Sequence, residues 1–70
     1  MTFGEKIQIL RLKKGISQKQ FSKESGIPFY TIVSLEYDRT KIPLITTVIK
    51  LAHYFKLSII EIIEGVDFKK

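Results

Sequence analysis

The 70-residue chain predicts an all-α fold, a compact set of five short helices. Apolar residues recur every three or four positions, and each such segment is bounded by residues that cap or break helices. No segment alternates apolar and polar residues between turns, as a half-buried strand would. Because a chain of this length cannot support two cores, we expect residues 1–70 to form a single domain.

The first helix is expected to begin near Phe3 and to bury Phe3, Ile7 and Leu10, which lie at helical spacing. Gly15 comes directly after two lysines, in the position where a left-handed residue ends many helices. Gly15 therefore marks the expected end of this helix.

The second helix is expected to open at Ser17 and to stop at Gly26. Ser17 and Gln20 have the spacing of a capping box, in which the hydroxyl accepts a backbone N–H and the Gln20 side chain reaches back. Pro28 suits the first position of a third helix, where its missing N–H costs nothing. Ile32 and Leu35 are the residues of that helix expected to face the core.

A loop is expected over residues 38–43, "DRTKIP", before a fourth helix. The apolar residues that mark this helix are Val48, Leu51, Ala52 and Phe55. Ser58 caps a short last helix over residues 58–64, and Gly65 closes it.

The charge of the chain is positive and unevenly distributed. Lys and Arg number 12 against 7 Asp and Glu, a net charge of +5, and residues 1–56 hold ten basic and four acidic side chains. This favours a polyanionic partner such as nucleic acid, although a solvated, lysine-rich face would have the same composition. The absence of cysteine excludes disulfides and thiolate metal sites. With no export signal and no membrane-spanning stretch in the pattern, we expect a cytoplasmic protein.

The second and third helices meet at a corner of very few residues. Two helices joined in this way cross at a steep angle, and a Gly at position 26 supplies the positive φ of the bend. Ser22 is the small residue expected at the crossing. The side chains predicted on the inner faces are Phe21, Ile27, Ile32 and Leu35. One outward side of the third helix then carries Phe29, Tyr30, Thr31 and Ser34.

Nearly the whole chain, from about Phe3 to Ile63, resembles a known family. The stretch "SQKQFSKESGIPFYTIVSLEYDRTKIP", followed by "LAHYFKLSIIEII", is similar to helix-turn-helix proteins of the Cro and lambda-repressor type, also called the xenobiotic-response-element family. Features that match in register are Arg11 before "LKKG", "SQ" opening the second helix, Gly26, Ile32, Leu35, Glu36 and Pro43. The resemblance implies a lambda-repressor-like fold with a helix-turn-helix at residues 17–36.

The resemblance also implies double-stranded DNA as the partner and assigns a role to individual residues. The third helix would enter the major groove, with the base-contacting positions being Phe29, Tyr30, Thr31 and Ser34. The positions expected to contact the DNA backbone are Gln18, Lys19, Arg39, Thr40 and Lys41. The family places a buried ion pair between the first and third helices, which maps onto Arg11 and Glu36. The alternative is that these two charges are exposed and match by chance.

Some residues depart from the family pattern. Pro28 replaces the usual Ser or Thr cap, so the third helix is expected to start one residue earlier, and Asp38 stands at a usual Gly position. Positions 29, 30, 31 and 34 form what we call the reading face. Phe29 and Tyr30 replace the polar residues that the family commonly has there. Aromatic rings pack against thymine methyl groups, so we expect a preference for A·T-rich half-sites with a contribution from DNA shape. Alternatively, Phe29 folds into the core or into a dimer contact.

The last helix is unusually rich in isoleucine. We expect a homodimer interface on this helix, residues 58–64, made by Ile59, Ile60, Ile62 and Ile63 and extended by Tyr37, Ile42 and Val66. A core helix with some exposed isoleucine is the alternative. Two copies would read a palindrome with half-sites roughly 34 Å apart.

Nothing in the sequence indicates an enzyme. His53 is the only histidine and has no cysteine or carboxylate neighbours, and no catalytic, phosphate-binding or metal-binding motif is present. We therefore expect no catalytic residues, no metal, no cofactor and no small-molecule ligand.

Three functional hypotheses remain. The leading one is a dimeric transcriptional regulator, a repressor that binds a palindromic operator. The second is an antitoxin or another protein-interaction module that binds a partner protein such as a toxin, through the isoleucine-rich helix or through Ile9 and Leu12 of the first helix. RNA polymerase would be a partner only if the regulator activates transcription, through an exposed face of the second or third helix. The third is an architectural DNA-binding protein with no preferred site.

Overall fold

Five α-helices and their short connections form residues 1–68, the part of the chain that the computed structural model describes. The helices are α1 (Phe3–Lys14), α2 (Gln18–Ser25), α3 (Phe29–Glu36), α4 (Ile45–Phe55) and α5 (Ile59–Ile63). No strand occurs within those residues. The predicted all-α, five-helix class is therefore confirmed.

Side-chain hydroxyls cap three of the helix N-termini. Thr2 with Glu5 and Ser58 with Glu61 form complete capping boxes. At Ser17 only half of the predicted box is present, because the hydroxyl accepts from the Gln20 backbone N–H while the Gln20 amide donates to the Glu24 carboxylate at 3.0 Å. The i to i+4 contact along the helix has replaced the contact back to the cap.

The start of α3 corrects two predictions about Pro28. This residue is the N-cap rather than the first helical residue, with an extended ψ of 142°, and its carbonyl accepts from the N–H groups of Thr31 and Ile32. The helix also does not begin one residue earlier than the family pattern, because proline at the cap position supplies a carbonyl acceptor as any other residue would. Only the side-chain cap is missing.

The end of α3 is a Schellman turn built on a non-glycine residue. Asp38 adopts the left-handed conformation with a φ of 58°. The Arg39 N–H donates to the Ser34 carbonyl at 2.9 Å, and the Asp38 N–H donates to the Leu35 carbonyl at 3.1 Å. These are the two hydrogen bonds that define the motif, so the turn keeps the geometry usual for glycine despite the side chain.

The core is one cluster to which every helix contributes. Its buried apolar members are Phe3, Ile7, Phe21, Ile27, Ile32, Leu35, Val48, Leu51, Ala52 and Ile62. Within this arrangement α1 packs on α3 and α5, and α2 packs on α3 and α4. Gly4 allows α1 to approach α3 closely, since a Cβ at this position would lie 1.9 Å from the Leu35 carbonyl oxygen. Nothing in the local sequence pattern indicated this constraint.

Two contacts fix the corner between α2 and α3. Gly26 has a φ of 75°, as the bend requires. The Ser22 hydroxyl donates to the Ile27 carbonyl at 2.6 Å. Ser22 therefore stabilises the turn through a hydrogen bond, in addition to being small enough for the helix crossing. Ile27 itself is buried in the core. The corner is therefore held by hydrogen bonding and by packing together.

An aromatic group joins α2 to α4. The Phe21 ring lies 5.4 Å from the rings of both Tyr54 and Phe55, and the Tyr54 hydroxyl donates to the Glu24 carboxylate. Burial against these rings, together with the hydrogen bond to Glu24, raises the pKa of Tyr54 to about 12. The same hydrogen bond lowers the pKa of Glu24.

We expect this contact to weaken at alkaline pH. The folded pKa of Tyr54 is about 12, above the value of about 10 for tyrosine in an unfolded chain. A raised folded pKa gives stability that is fully present below about pH 10 and is lost as the pH rises towards the folded pKa. Absorbance titration of the phenolate in the wild type minus that in Tyr54→Phe should show a midpoint near 12. Glu24→Gln should lower that midpoint, and a wild-type midpoint near 10 would contradict the assignment.

Candidate nucleic-acid interface

The outward side of α3 carries the four residues predicted to contact bases. Tyr30 is 75% exposed and Phe29 is 42% exposed, while Thr31 and Ser34 are half-buried. Phe29 therefore does not fold into the core. Tyr30, Thr31 and Ser34 line one open depression, whose remaining walls are Leu35, Thr40, Pro43, Leu44 and Thr47. Phe29 lies outside this depression, at the first position of the helix.

Thr40 is joined to the reading face by direct contact with Ser34. The two hydroxyl oxygens are 2.7 Å apart, and the Thr40 N–H donates to the Ser34 carbonyl at 3.2 Å. Arg39 is exposed beside them. A residue predicted to contact the DNA backbone and one predicted to contact a base thus form a single hydrogen-bonded unit.

Lys41 does not line the depression that Thr40 shares with Ser34. It lines a separate depression with Thr2, Phe3, Asp38 and Asp67. The depression lined by Lys41 therefore carries two acidic side chains, whereas the depression lined by Thr40 carries none.

A buried network lies beneath α2 and α3. Arg11 and Glu36 are each 8% exposed, and two hydrogen bonds join their side chains, from Arg11 Nε to Glu36 Oε2 at 2.7 Å and from Nη2 to Oε1 at 3.0 Å. Arg11 Nη1 also donates to the Ile16 carbonyl at 2.9 Å. The hydrogen bond to Glu36 raises the pKa of Arg11. The alternative of two exposed charges is excluded by this burial.

Gln18 belongs to the same network. Its amide Nε2 donates to Glu36 Oε1 at 3.1 Å, so the side chain predicted to meet a phosphate is held by a residue at the end of α3. A second N–H on Nε2 and the amide oxygen remain for other partners. Lys19, next along α2, is exposed.

Comparison with known proteins agrees with this geometry. A family model described as helix-turn-helix matches residues 7–62, which include every residue predicted to contact DNA. The chain belongs to the helix-turn-helix family of the Cro and lambda-repressor type. It is a DNA-binding helix-turn-helix regulator, from a family that is generally non-enzymatic. A search of curated proteins found no match to the chain.

The isoleucine-rich helix of this regulator is exposed on one side only. Ile60 is 73% exposed, and Ile59 and Ile63 are also exposed, whereas Ile62 is 0% exposed and belongs to the core. The prediction that Ile62 contributes to an interface is therefore corrected. A five-residue helix must turn at least one of its apolar residues inward in order to pack, and here that residue is Ile62. Val66 is half-buried against the same core.

Helix α4 adds apolar surface that the sequence pattern did not single out. Leu44, Ile45 and Ile49 are exposed, and Ile49 shares a depression with Ile59 of α5. The available signal was the spacing of Ile45 and Ile49, four residues apart and off the face that carries Val48 and Leu51. Tyr37 and Ile42 are exposed as well.

His53, the only histidine in the sequence, lies at the surface. His53 is exposed on the depression that Ile49 and Ile59 line. Within residues 1–68 no three His, Asp or Glu side chains converge on a point where a metal ion would fit. None of the helices in that range is long and apolar enough to cross a bilayer.

We expect the buried ion pair to be essential for stability. Arg11→Met leaves the Glu36 carboxylate buried without its partner and should lower the free energy of unfolding by roughly 3–5 kcal/mol. Urea denaturation followed by circular dichroism measures this change. The matched control Lys13→Met, on the exposed side of the same helix, should change stability by less than about 0.5 kcal/mol.

The double variant Arg11→Met/Glu36→Leu provides the complementary measurement. It removes both charges and should recover much of the lost stability, because no unpaired charge is then buried. Equal destabilisation by Arg11→Met and Lys13→Met would show that the pair contributes nothing beyond an exposed contact.

Proposed function

We propose that this regulator binds double-stranded DNA sequence-specifically as a homodimer and represses transcription by occupying a palindromic operator. The observation that carries the proposal is the side of α3 that bears Phe29, Tyr30, Thr31 and Ser34. It is open to a partner, while the opposite side of the same helix is fixed in the core by Ile32 and Leu35. Residues 1–70 act as one domain in this proposal.

Base recognition is assigned to the side chains on that open face. An α-helix fits the major groove, and the exposed ring of Tyr30 is positioned to pack on thymine methyl groups while its hydroxyl forms a hydrogen bond. No side chain on this face can bind guanine through two hydrogen bonds as arginine does. The proposed operator is therefore rich in A·T pairs, with DNA shape adding to the discrimination.

Backbone contacts are assigned to residues on either side of the reading face. Gln18 and Lys19 lie at the start of α2, and Arg39, Thr40 and Lys41 follow α3. Their contacts with phosphate oxygens would orient the protein and supply affinity that decreases with salt. The ten basic and four acidic side chains of residues 1–56 support this assignment.

The proposed dimer uses the apolar surface of α4 and α5. Ile59, Ile60 and Ile63 are exposed on α5, and Ile49 lies in the same depression as Ile59. Contiguous exposed apolar surface of this kind favours a contact with another chain, and a two-fold pairing buries the same residues on both copies. Two copies then supply the contacts that one small domain lacks.

Selection of binding sites from random duplex DNA tests the function directly. We expect an A·T-rich palindrome, and the mass of the complex should correspond to two copies of the chain per duplex. Ile60→Lys should yield one copy per duplex and lose affinity for the palindrome, since the change places charge in the proposed interface. Thr46→Lys adds the same charge at an exposed position of α4 that is not one of the proposed interface residues, and so serves as the control.

The outcomes of this selection separate the three hypotheses. Retention of bound DNA without any enriched motif would favour an architectural protein. Absence of DNA binding, with a second polypeptide co-purifying through the isoleucine-rich surface, would favour an interaction module. Either result would overturn the proposed repressor.

Substitution of a base-contacting residue should change site preference, whereas substitution of a backbone-contacting residue should change overall affinity. Tyr30→Ala should reduce discrimination between operator and altered sites by roughly 1–3 kcal/mol, because a base contact is lost. Arg39→Ala should weaken binding to all duplexes similarly and reduce the salt slope by about one. Lys41→Ala should have the smaller effect on the slope, because Asp38 and Asp67 lie on its depression. A changed site preference in Arg39→Ala, with none in Tyr30→Ala, would show that the reading face is assigned wrongly.

A further inference from the structure

The contact between Ser34 and Thr40 has a chemical consequence for base recognition. The two oxygens are 2.7 Å apart, and either hydroxyl can be the donor. Each hydroxyl has a single proton and two lone pairs. Two oxygens this close are held together only when one of the two protons lies between them. The direction of this hydrogen bond decides what each hydroxyl can offer to a third group.

The contact is built into the backbone. The Ser34 carbonyl accepts from the N–H groups of both Arg39 and Thr40, at 2.9 and 3.2 Å, as part of the turn that ends α3. The turn therefore holds the backbone of Thr40 next to Ser34, which places the two hydroxyl groups within reach of each other. Both residues line the open depression beside Tyr30, where a bound duplex would lie.

Phosphate oxygens determine the direction of the hydrogen bond when DNA is bound. A phosphodiester oxygen only accepts hydrogen bonds, so a threonine hydroxyl that binds it must donate its proton. Thr40 then has no proton left for Ser34. The proton between the two oxygens must come from Ser34, and the Ser34 hydroxyl turns only lone pairs towards the groove.

We propose that Thr40, without touching a base, makes Ser34 a hydrogen-bond acceptor and so selects base pairs that present an amino group to it. In the major groove, the donors are the N6 amino group of adenine and the N4 amino group of cytosine, whereas guanine and thymine present acceptors at the equivalent positions. Thr40 is a positioning residue that couples a backbone contact to sequence choice. This inference rests on the proposed DNA-binding function.

Thr40→Val tests the inference because it removes the hydroxyl while keeping the shape of the side chain. In this variant the Ser34 hydroxyl has no acceptor at residue 40, so its proton is available for DNA. It can then donate to guanine or thymine as well as accept from adenine or cytosine. We expect the wild type to prefer an amino-bearing base by roughly 3- to 10-fold at the position read by Ser34, and Thr40→Val to lose that preference. Binding to all duplexes should also weaken, because a phosphate contact is lost.

Three further variants make the comparison specific. Ser34→Ala identifies the base pair that Ser34 reads, because the preference there changes in this variant. Adding Thr40→Val to Ser34→Ala should leave the base preference at that base pair unchanged. Thr40→Ser should restore the wild-type preference, since it retains the hydroxyl. Thr47→Val makes the same chemical change in the same depression, away from the Ser34 contact, and should not affect the preference. Thermal unfolding of each variant shows that it remains folded.

Base analogues examine the same bond from the DNA side. Purine in place of adenine, or pyrimidin-2-one in place of cytosine, removes the amino group alone. Either analogue should weaken wild-type binding by roughly 3- to 10-fold and should have no effect in Ser34→Ala. A wild-type preference for guanine or thymine at that position would overturn the inference. A Thr40→Val variant that binds all four base pairs more weakly by the same factor would also overturn it, and would leave the proposed repressor intact.

Failure of the proposed function has a different signature. In that case the wild type itself shows no preference at any position, and no variant can alter one. The inference would then fall together with the function on which it rests.

Discussion

The buried ion pair between Arg11 and Glu36 holds α3 against α1 and organises the segments around it. It joins the end of α1 to the end of α3, and through the Ile16 carbonyl and the Gln18 amide it also holds the turn between α1 and α2. Three segments of a small chain are thus fixed by one carboxylate and one guanidinium. No buried side-chain polar atom among residues 1–68 lacks a partner, so the cost of removing the two charges from water is offset by hydrogen bonds at every buried polar atom.

A fixed α3 is what makes an exposed reading face possible. Ile32 and Leu35 bury one side of the helix, Gly4 lets α1 pack against its carbonyls, and the left-handed Asp38 turns the chain back so that Thr40 reaches Ser34. The side chains towards solvent then project from a rigid backbone. Rigidity of this kind is needed wherever single hydrogen bonds must discriminate between bases, because a loose donor or acceptor would adapt to either.

Helix α4 connects the two surfaces that the proposed function uses. Leu44 and Thr47, at its N-terminal end, line the depression beside α3, and Ile49, further along, shares a depression with Ile59 of α5. Val48 and Leu51 lie between these surfaces, in the core. This helix, buried on one side, therefore borders the proposed DNA-binding face at one end and supplies the exposed Ile49 to the proposed dimer contact.

The number and approximate bounds of the helices could be predicted from the sequence, because caps and helical spacing are local: Ser58, Gly15 and Gly26 each act within a few residues. The sequence also carried the family resemblance and both partners of the buried ion pair. Three features could not be predicted: Ile62 is buried while Ile60 is exposed, a Cβ at Gly4 would meet the Leu35 carbonyl, and Thr40 and Lys41 line different depressions. Each of these depends on how distant segments pack, and a pattern read along one segment contains no information about its neighbours in space.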